Sequence, residues 1–268
     1  MAGKSNPIPS VWARRPREAA EQPALSRAAI VREAVAMLDA DGVEALSMRK
    51  LGARLGAGAT SLYRHVATKD ELMELAVDEV FGEIRVPGGE GRGEDWRAAA
   101  AEAASSFRHT SLRHPWLASV LGQAGLAYLG PNLMGYSERL AALFTRAGFP
   151  EPSRAIETLL GYVIGMSSTE AAWLTTVARS GESEAEFIAR LMPAAQEAAA
   201  GHAHLHSEYE AAQQAAHAGG GGAAQADTGA PDAGRAGGAG VDPAALREAK
   251  FAYGLEVVLD GLALRLPR

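Results

Sequence analysis

Between Ser47 and Lys69 the chain reads SMRKLGARLGAGATSLYRHVATK, with five Lys or Arg and no Asp or Glu. Ser47 is placed to cap a helix whose apolar face is Met48, Leu51 and Leu55. Gly56-Ala57-Gly58 then supplies a turn with two residues able to take positive φ. A short helix follows through Thr60, Ser61, Leu62, Tyr63, Arg64 and His65. Two short helices around a glycine turn make a helix-turn-helix, which commits this part of the chain to α structure.

The flanking sequence completes a small helical unit. Ser26 caps a helix carrying Ile30, Val31, Ala34, Val35 and Leu38, which stops at Asp41-Gly42, with Val35 and Leu38 turned to the core. Thr68-Lys69-Asp70-Glu71 is a capping box that opens a fourth helix with Leu72, Leu75, Ala76, Val80 and Ile84 on one face. Residues 1–80 hold 11 basic and 11 acidic residues, whereas residues 81–268 hold 15 against 21 and carry the whole net charge of -6. A basic face on an otherwise acidic protein attracts phosphates at one place and repels polyanions elsewhere, so this face is the one expected to meet nucleic acid.

A break rich in Pro and Gly at 87–93 precedes helical patterns at 94–113, 115–122, 131–147 and 152–179, and a further helix from about 183. No alternating strand pattern interrupts them, so the fold class is all-α. Residues 1–25 carry Lys4, Arg14, Arg15 and Arg17 among four prolines and read as a basic flexible arm. Residues 201–240 hold 10 Gly and 13 Ala and read as a disordered insertion. A last amphipathic helix after Pro243 carries Leu246, Phe251, Leu255, Val258, Leu259, Leu262 and Leu266. The expected organisation is thus an arm at 1–25, a helix-turn-helix domain at 26–86 and a larger helical domain at 94–268. The chain has no cysteine, which excludes disulfides and thiolate metal sites. No apolar run approaches the roughly 20 residues of a membrane span, and no hydrophobic leader is present, so a soluble cytoplasmic protein is expected.

Residues 26–84, and LSMRKLGARLGAGATSLYRHV with its following Lys above all, resemble the DNA-binding domain of the TetR family of bacterial transcriptional regulators. WRAAAAEAASSFRHTSLRHPWLASVL, GPNLMGYSERLAALFTRAGF and FAYGLEVVLDGLALRL resemble the ligand-binding and dimerisation domain of its tetracycline-repressor-like subgroup. The resemblance implies that the third helix enters the major groove, with Ala59, Thr60, Ser61, Tyr63, Arg64 and His65 facing DNA, joined by Arg49 and Lys69 on the backbone. The chemistry suits those roles. A guanidinium such as that of Arg64 forks onto guanine O6 and N7, and Lys69 adds charge at a helix N-terminus. Ala59 and Arg64 depart from the tetracycline repressor itself, which implies a different operator.

The larger domain is expected to hold a small apolar or aromatic effector between its helices. Candidate contacts are Phe107, His109, His114, Trp116, Asn132, Met134, Tyr136, Met166, Glu170 and Trp173. His109 and Glu170 stand out, since an ionisable group facing such an interior is costly without a partner. His202, His204 and His206 form an H-x-H-x-H tract without a nearby carboxylate or thiolate, and neither a metal nor a cofactor is expected. Gly161 and Gly165 on one apolar helix, and Gly254 and Gly261 on the last, suit close pairing of helices between two copies. The expected partners are therefore an operator duplex, an effector and a second copy of the chain, with no membrane. The sequence lacks H-E-x-x-H, G-x-S-x-G, a P-loop and a dinucleotide fingerprint, which leaves an enzyme unsupported. A ligand-independent DNA-binding dimer and an activator remain as alternatives to a repressor.

Overall fold

The structure, a computed structural model, describes residues 25–87, 95–124, 129–207, 209 and 242–267. The expected arm lies outside them except for Leu25, as does the expected insertion beyond 207, apart from residue 209. Within its first part, residues 203–207 form a helical turn.

The elements are α1 (Arg27–Asp41), a 3-10 turn (Val43–Ala45), α2 (Met48–Arg54), α3 (Ala59–Leu62) and α4 (Lys69–Phe81). They continue with α5 (Trp96–Arg113), α6 (Trp116–Ala124), α7 (Pro131–Arg146), α8 (Pro152–Ser180), α9 (Glu184–Ala199) and α10 (Pro243–Ala263). No strand occurs among the described residues, and the fold is all-α. Side-chain caps start the helices as polar residues at those positions should. Ser26 Oγ accepts from the Ala29 N–H, Ser47 Oγ from Lys50, Thr68 Oγ1 from Glu71 and Asp95 Oδ1 from Arg97 and Ala98. Glu71 closes its box on the Ala67 N–H, one residue before the cap. Ser183 and Glu186 form a reciprocal box at α9, and the hydrogen bonds from Ser183 hold the Glu186 carboxyl below its usual range.

Two compact units divide the chain: Met1–Ala172 with Gly254–Arg268, and Trp173–Tyr253. The division does not fall at the 87–93 break, and α4 gives the reason. Sequence marks one apolar face on this helix, but Met73, Val77 and Phe81 are buried as well, with Glu74 and Asp78 among them. One side packs on α1 and another on α7. A helix enclosed on most sides belongs to an interior, so the head's fourth helix also walls the first body helices. Phe81 brings its ring to 6.2 Å from Phe107 and 5.6 Å from Tyr136, and a second aromatic group joins Trp96, Phe144 and Phe149. In α1 the core position is Met37 at 1% exposure, while Val35 is only half-buried.

In the second unit Trp173 Nε1 donates to Glu184 Oε1 at 2.6 Å and its ring meets the edge of Phe187. Arg247 also pairs with Glu184. Arg190 lies over the Phe187 ring and binds Glu182 at 2.8 Å, and these hydrogen bonds hold the Glu182 carboxyl below its usual range. Along α10, Phe251, Leu255, Leu259 and Leu262 are buried as the pattern predicts, but Leu246 is exposed and Val258 and Leu266 are half-buried.

Candidate nucleic-acid interface and its links to the body

The glycine turn is built by two different requirements. Gly56 has φ +63°, a conformation disfavoured for a side chain with Cβ, and Ala57 N–H donates back to Gly52 O at 2.8 Å. Gly52 itself is buried in α2, where a Cβ would stand 2.6 Å from Ala57 O. Gly58, expected to share the positive φ, is instead extended (φ -69°, ψ 145°) and forms the N-cap of α3. One left-handed residue therefore suffices, and Gly52 supplies the close approach.

α3 is shorter than its sequence pattern suggests. It ends at Leu62, and Tyr63 to His65 continue as a tight turn in which Arg64 N–H donates to Ser61 O and His65 N–H to Leu62 O. Leu62 and Val66 are fully buried and fix the turn to the core. Outward from that anchor, Thr60, Tyr63 and Arg64 are exposed and Ala59, Ser61 and His65 half-buried. Arg49 at the start of α2 and Lys69 at the start of α4 are exposed too, as is Lys50, which completes the basic rim. Lys69 Nζ reaches the Val43 carbonyl at 3.5 Å, and Arg54 reaches Glu33 of α1 at 3.4 Å. The exposed basic residues thus stand at two helix starts and in the turn after α3.

Behind this surface, polar bonds join the head to the first body helices. Asp78 of α4 accepts the Asn132 and Leu133 N–H groups at 2.9 and 3.0 Å, capping α7 from outside its own segment, and Asn132 Nδ2 returns two bonds to it. Burial pushes the Asp78 carboxyl up, against the pull of those hydrogen bonds. Gly130 makes the approach possible, because a Cβ there would overlap the Asp78 carboxyl and lie 2.5 Å from Asp78 Cβ. On the other side His114 bridges two carboxylates: Nδ1 to Asp39 Oδ1 of α1 at 2.7 Å and Nε2 to Glu83 Oε2 at 3.2 Å. Trp116 Nε1 donates to the same Asp39 oxygen at 2.7 Å, and Arg113 binds Glu83 at 2.7 Å.

Three residues expected to line an effector site are thus committed elsewhere through their polar atoms: His114 and Trp116 to Asp39, and Asn132 to Asp78. His109 is exposed, its Nδ1 on the Ser105 carbonyl, and Met134 is 41% exposed. Trp173 belongs to the second unit, and Met166 is half-buried. Phe107 and Tyr136 come together, ring centres 6.4 Å apart, and burial raises the Tyr136 hydroxyl well above its usual range. Glu170 has a partner that no pattern along the chain identifies. Arg108, 62 residues earlier, meets it with a bidentate fork, Nε to Oε2 at 2.7 Å and Nη2 to Oε1 at 2.8 Å, with both side chains at least nine-tenths buried.

A basic helix-turn-helix head whose last helix is shared with an α-helical body defines a DNA-binding transcriptional regulator. The chain belongs to the TetR family. Residues 30–76 match the family model for bacterial regulatory proteins of the tetR family, and residues 89–217 match that for the tetracyclin repressor-like C-terminal domain. An HTH-type transcriptional regulator of Saccharopolyspora erythraea is 42% identical over 166 residues, which are 61% of this chain and 69% of that protein. The HTH-type transcriptional repressor DrrR1 of Streptomyces coeruleorubidus is 36% identical over 174 residues, 64% of this chain and 63% of its own. Among solved structures, the Streptomyces coelicolor TetR family protein ActR in complex with actinorhodin superposes with a TM-score of 0.63 at 26% identity, covering 91% of this chain and 99% of that one. The families and relatives matched are regulators of transcription and not enzymes. Among the described residues no helix is long and apolar enough to cross a membrane.

Proposed function

We propose that the chain is an effector-released, homodimeric repressor that binds a palindromic operator, with residues 26–86 as its DNA-binding domain and 94–268 as its regulatory domain. The observation that carries this reading is the basic rim itself: Arg49, Thr60, Tyr63, Arg64 and Lys69 stand exposed around one glycine turn, with Leu62 and Val66 locking that turn to the core. The turn presents Arg64 to a base edge, while Arg49 and Lys69 flank it for phosphates. Ala59, Ser61 and His65 complete the reading surface.

Two copies are needed to read a palindrome, with recognition elements roughly 34–36 Å apart on successive major grooves. Support for pairing comes from α8 and α10. Gly161 and Gly165 of α8 and Gly261 of α10 are exposed, and a Cβ on any of them would meet nothing within 4 Å. Val257 and Leu264, four residues before and three after Gly261 on α10, stand 55% and 86% exposed. Gly254 differs, since a Cβ there would strike the Tyr162 ring of the same chain at 2.5 Å. An apolar stripe around open glycines suits the close approach of a second copy. The similarity to a repressor and to a protein solved with actinorhodin supports repression relieved by a small molecule. Binding in the body then opposes DNA binding with a coupling of about 1–3 kcal/mol.

The test is selection of bound sequences from random duplex DNA, followed by titration of the preferred site with wild type and Arg64→Ala. A palindrome whose affinity drops by about 1–3 kcal/mol and whose preference relaxes at one base pair supports the reading. Recovery of no preferred sequence refutes it, and a monomer by sedimentation at micromolar concentration refutes the dimer.

A further inference from the structure

We propose that the α5–α6 corner, Arg113 to Trp116, is a clamp that fixes α1 against the end of α4 and so preorganises the head for DNA, with Asp39 as the positioning residue on the head's side; the inference deepens the repressor reading above and rests on it for the DNA surface. Asp39 stands in the last turn of α1 and Glu83 two residues beyond α4. Asp39 Oδ1 takes the His114 Nδ1 and Trp116 Nε1 groups, each at 2.7 Å. Glu83 Oε2 takes Arg113 at 2.7 Å and faces His114 Nε2 at 3.2 Å. One imidazole thus stands between two carboxylates from two helix ends. Without it, like charges would confront each other across the joint and draw water into it.

The body's side of the clamp is rigid. His114 and Trp116 are 7% and 4% exposed, Leu117 follows at 0%, and the backbone runs on through His114 N–H to Thr110 O and Leu117 N–H to His114 O. The head's side is wetter, with the Asp39 and Glu83 side chains 30% and 38% exposed. A firm donor set therefore holds two acceptors that solvent would otherwise leave free to move.

The two helices held are the ones that place the basic rim. Met37 and Leu38, next to Asp39, are buried in the head, and α1 packs on α2, the 3-10 turn and α4, while α2 packs on α3. Lys69 opens α4, and the clamp grips beyond its other end, 13 helical residues or about 20 Å away. The clamp lies too far along α4 to share Lys69's phosphate, so it acts on DNA only through the setting of α1 and α4. A head whose helices wander has to be ordered on the duplex, and that ordering is subtracted from affinity. Charge alone argues the opposite way, because removing a carboxylate from the head favours binding to a polyanion.

The experiment takes the full chain as wild type, Asp39→Ala and Asp39→Asn through hydrogen exchange without DNA, and through titration with the duplex that wild type selects. Both variants lose the charge, but only asparagine keeps an oxygen that accepts from His114 and Trp116. Asp39→Ala should speed exchange at least about fivefold in α2 and the turn after α3, which hold no bond to Asp39, and should weaken DNA binding by at least about fivefold. Asp39→Asn should exchange as wild type does and bind the duplex at least as tightly. Faster exchange in Asp39→Ala confined to α1, equal acceleration in α8, DNA binding equal to or tighter than wild type, or the same loss in Asp39→Asn would overturn the proposal. A wild type that selects no sequence refutes the repressor reading, and the exchange comparison, which needs no DNA, then decides the clamp alone. A wild type that selects a palindrome while Asp39→Ala behaves identically loses the clamp and keeps the repressor.

Discussion

Gly130→Ala tests whether the Asp78 cap is what joins α4 to α7. The Gly130 backbone (φ -64°, ψ 151°) is ordinary for alanine, so any loss has to come from the added methyl. That methyl overlaps the Asp78 carboxyl and stands 2.5 Å from its Cβ, so the carboxylate must leave the Asn132 and Leu133 N–H groups. A helix cap contributes about 0.5–2 kcal/mol and a hydrogen bond to a charged group about 1.5–3 kcal/mol. Taken as overlapping rather than additive, these give an expected loss of roughly 2–4 kcal/mol, or about 4–16 °C in melting temperature for a chain of this size. The assay is urea unfolding followed by circular dichroism at one fixed protein concentration, because the proposed pairing of chains would make stability depend on concentration. Asp78→Gly removes the obstacle along with the cap, so Gly130→Ala should cost only about 1 kcal/mol in that background, the ordinary difference between glycine and alanine at a helix N-cap. The double-mutant cycle should therefore show a coupling of about 1–3 kcal/mol. Additive losses would refute the steric argument, and an unaltered stability of Gly130→Ala would refute the cap itself.

Gly52→Ala places a methyl 2.6 Å from Ala57 O and should destabilise the head by about 1–3 kcal/mol, read as lost protection of α2 amides in hydrogen exchange together with weaker DNA binding. Arg108→Met and Glu170→Met should each cost about 3–5 kcal/mol in urea unfolding, because each breaks a buried bidentate ion pair. Because burial raises the Asp78 carboxyl above its ordinary value, the folded protein holds that proton to higher pH than the unfolded chain does. The stability tied to this proton is present below the ordinary carboxylate range and is lost as pH rises through the raised value. Asp78→Asn should therefore flatten the fall in stability on the alkaline side of the ordinary carboxylate range, and an unchanged slope in a pH series of urea melts would contradict the assignment.

Local chemistry was legible along the chain because it acts over a few residues. Ser26, Ser47, Thr68 and Ser183 announce helix starts through side-chain oxygens that reach N–H groups two or three residues on, and Gly56 announces a backbone that other residues resist. The basic rim needed only charge counted within one short stretch. Gly52 and Gly58 mark where this reading ends. A glycine's type says that it permits a positive φ or a close approach, and only the neighbouring atoms decide which.

An all-α chain with a basic helix-turn-helix head follows from the residues alone, because caps, turns and hydrophobic period are properties of neighbours in sequence. Packing decided that α4 serves two cores, that Asp78 caps a helix 54 residues away, that Arg108 pairs with Glu170, and that the Ser111 and Ser167 hydroxyls have no hydrogen-bond partner. Those are facts about which polar groups lose water together, and a group's partner across such distances is fixed by packing rather than by any pattern in its own segment.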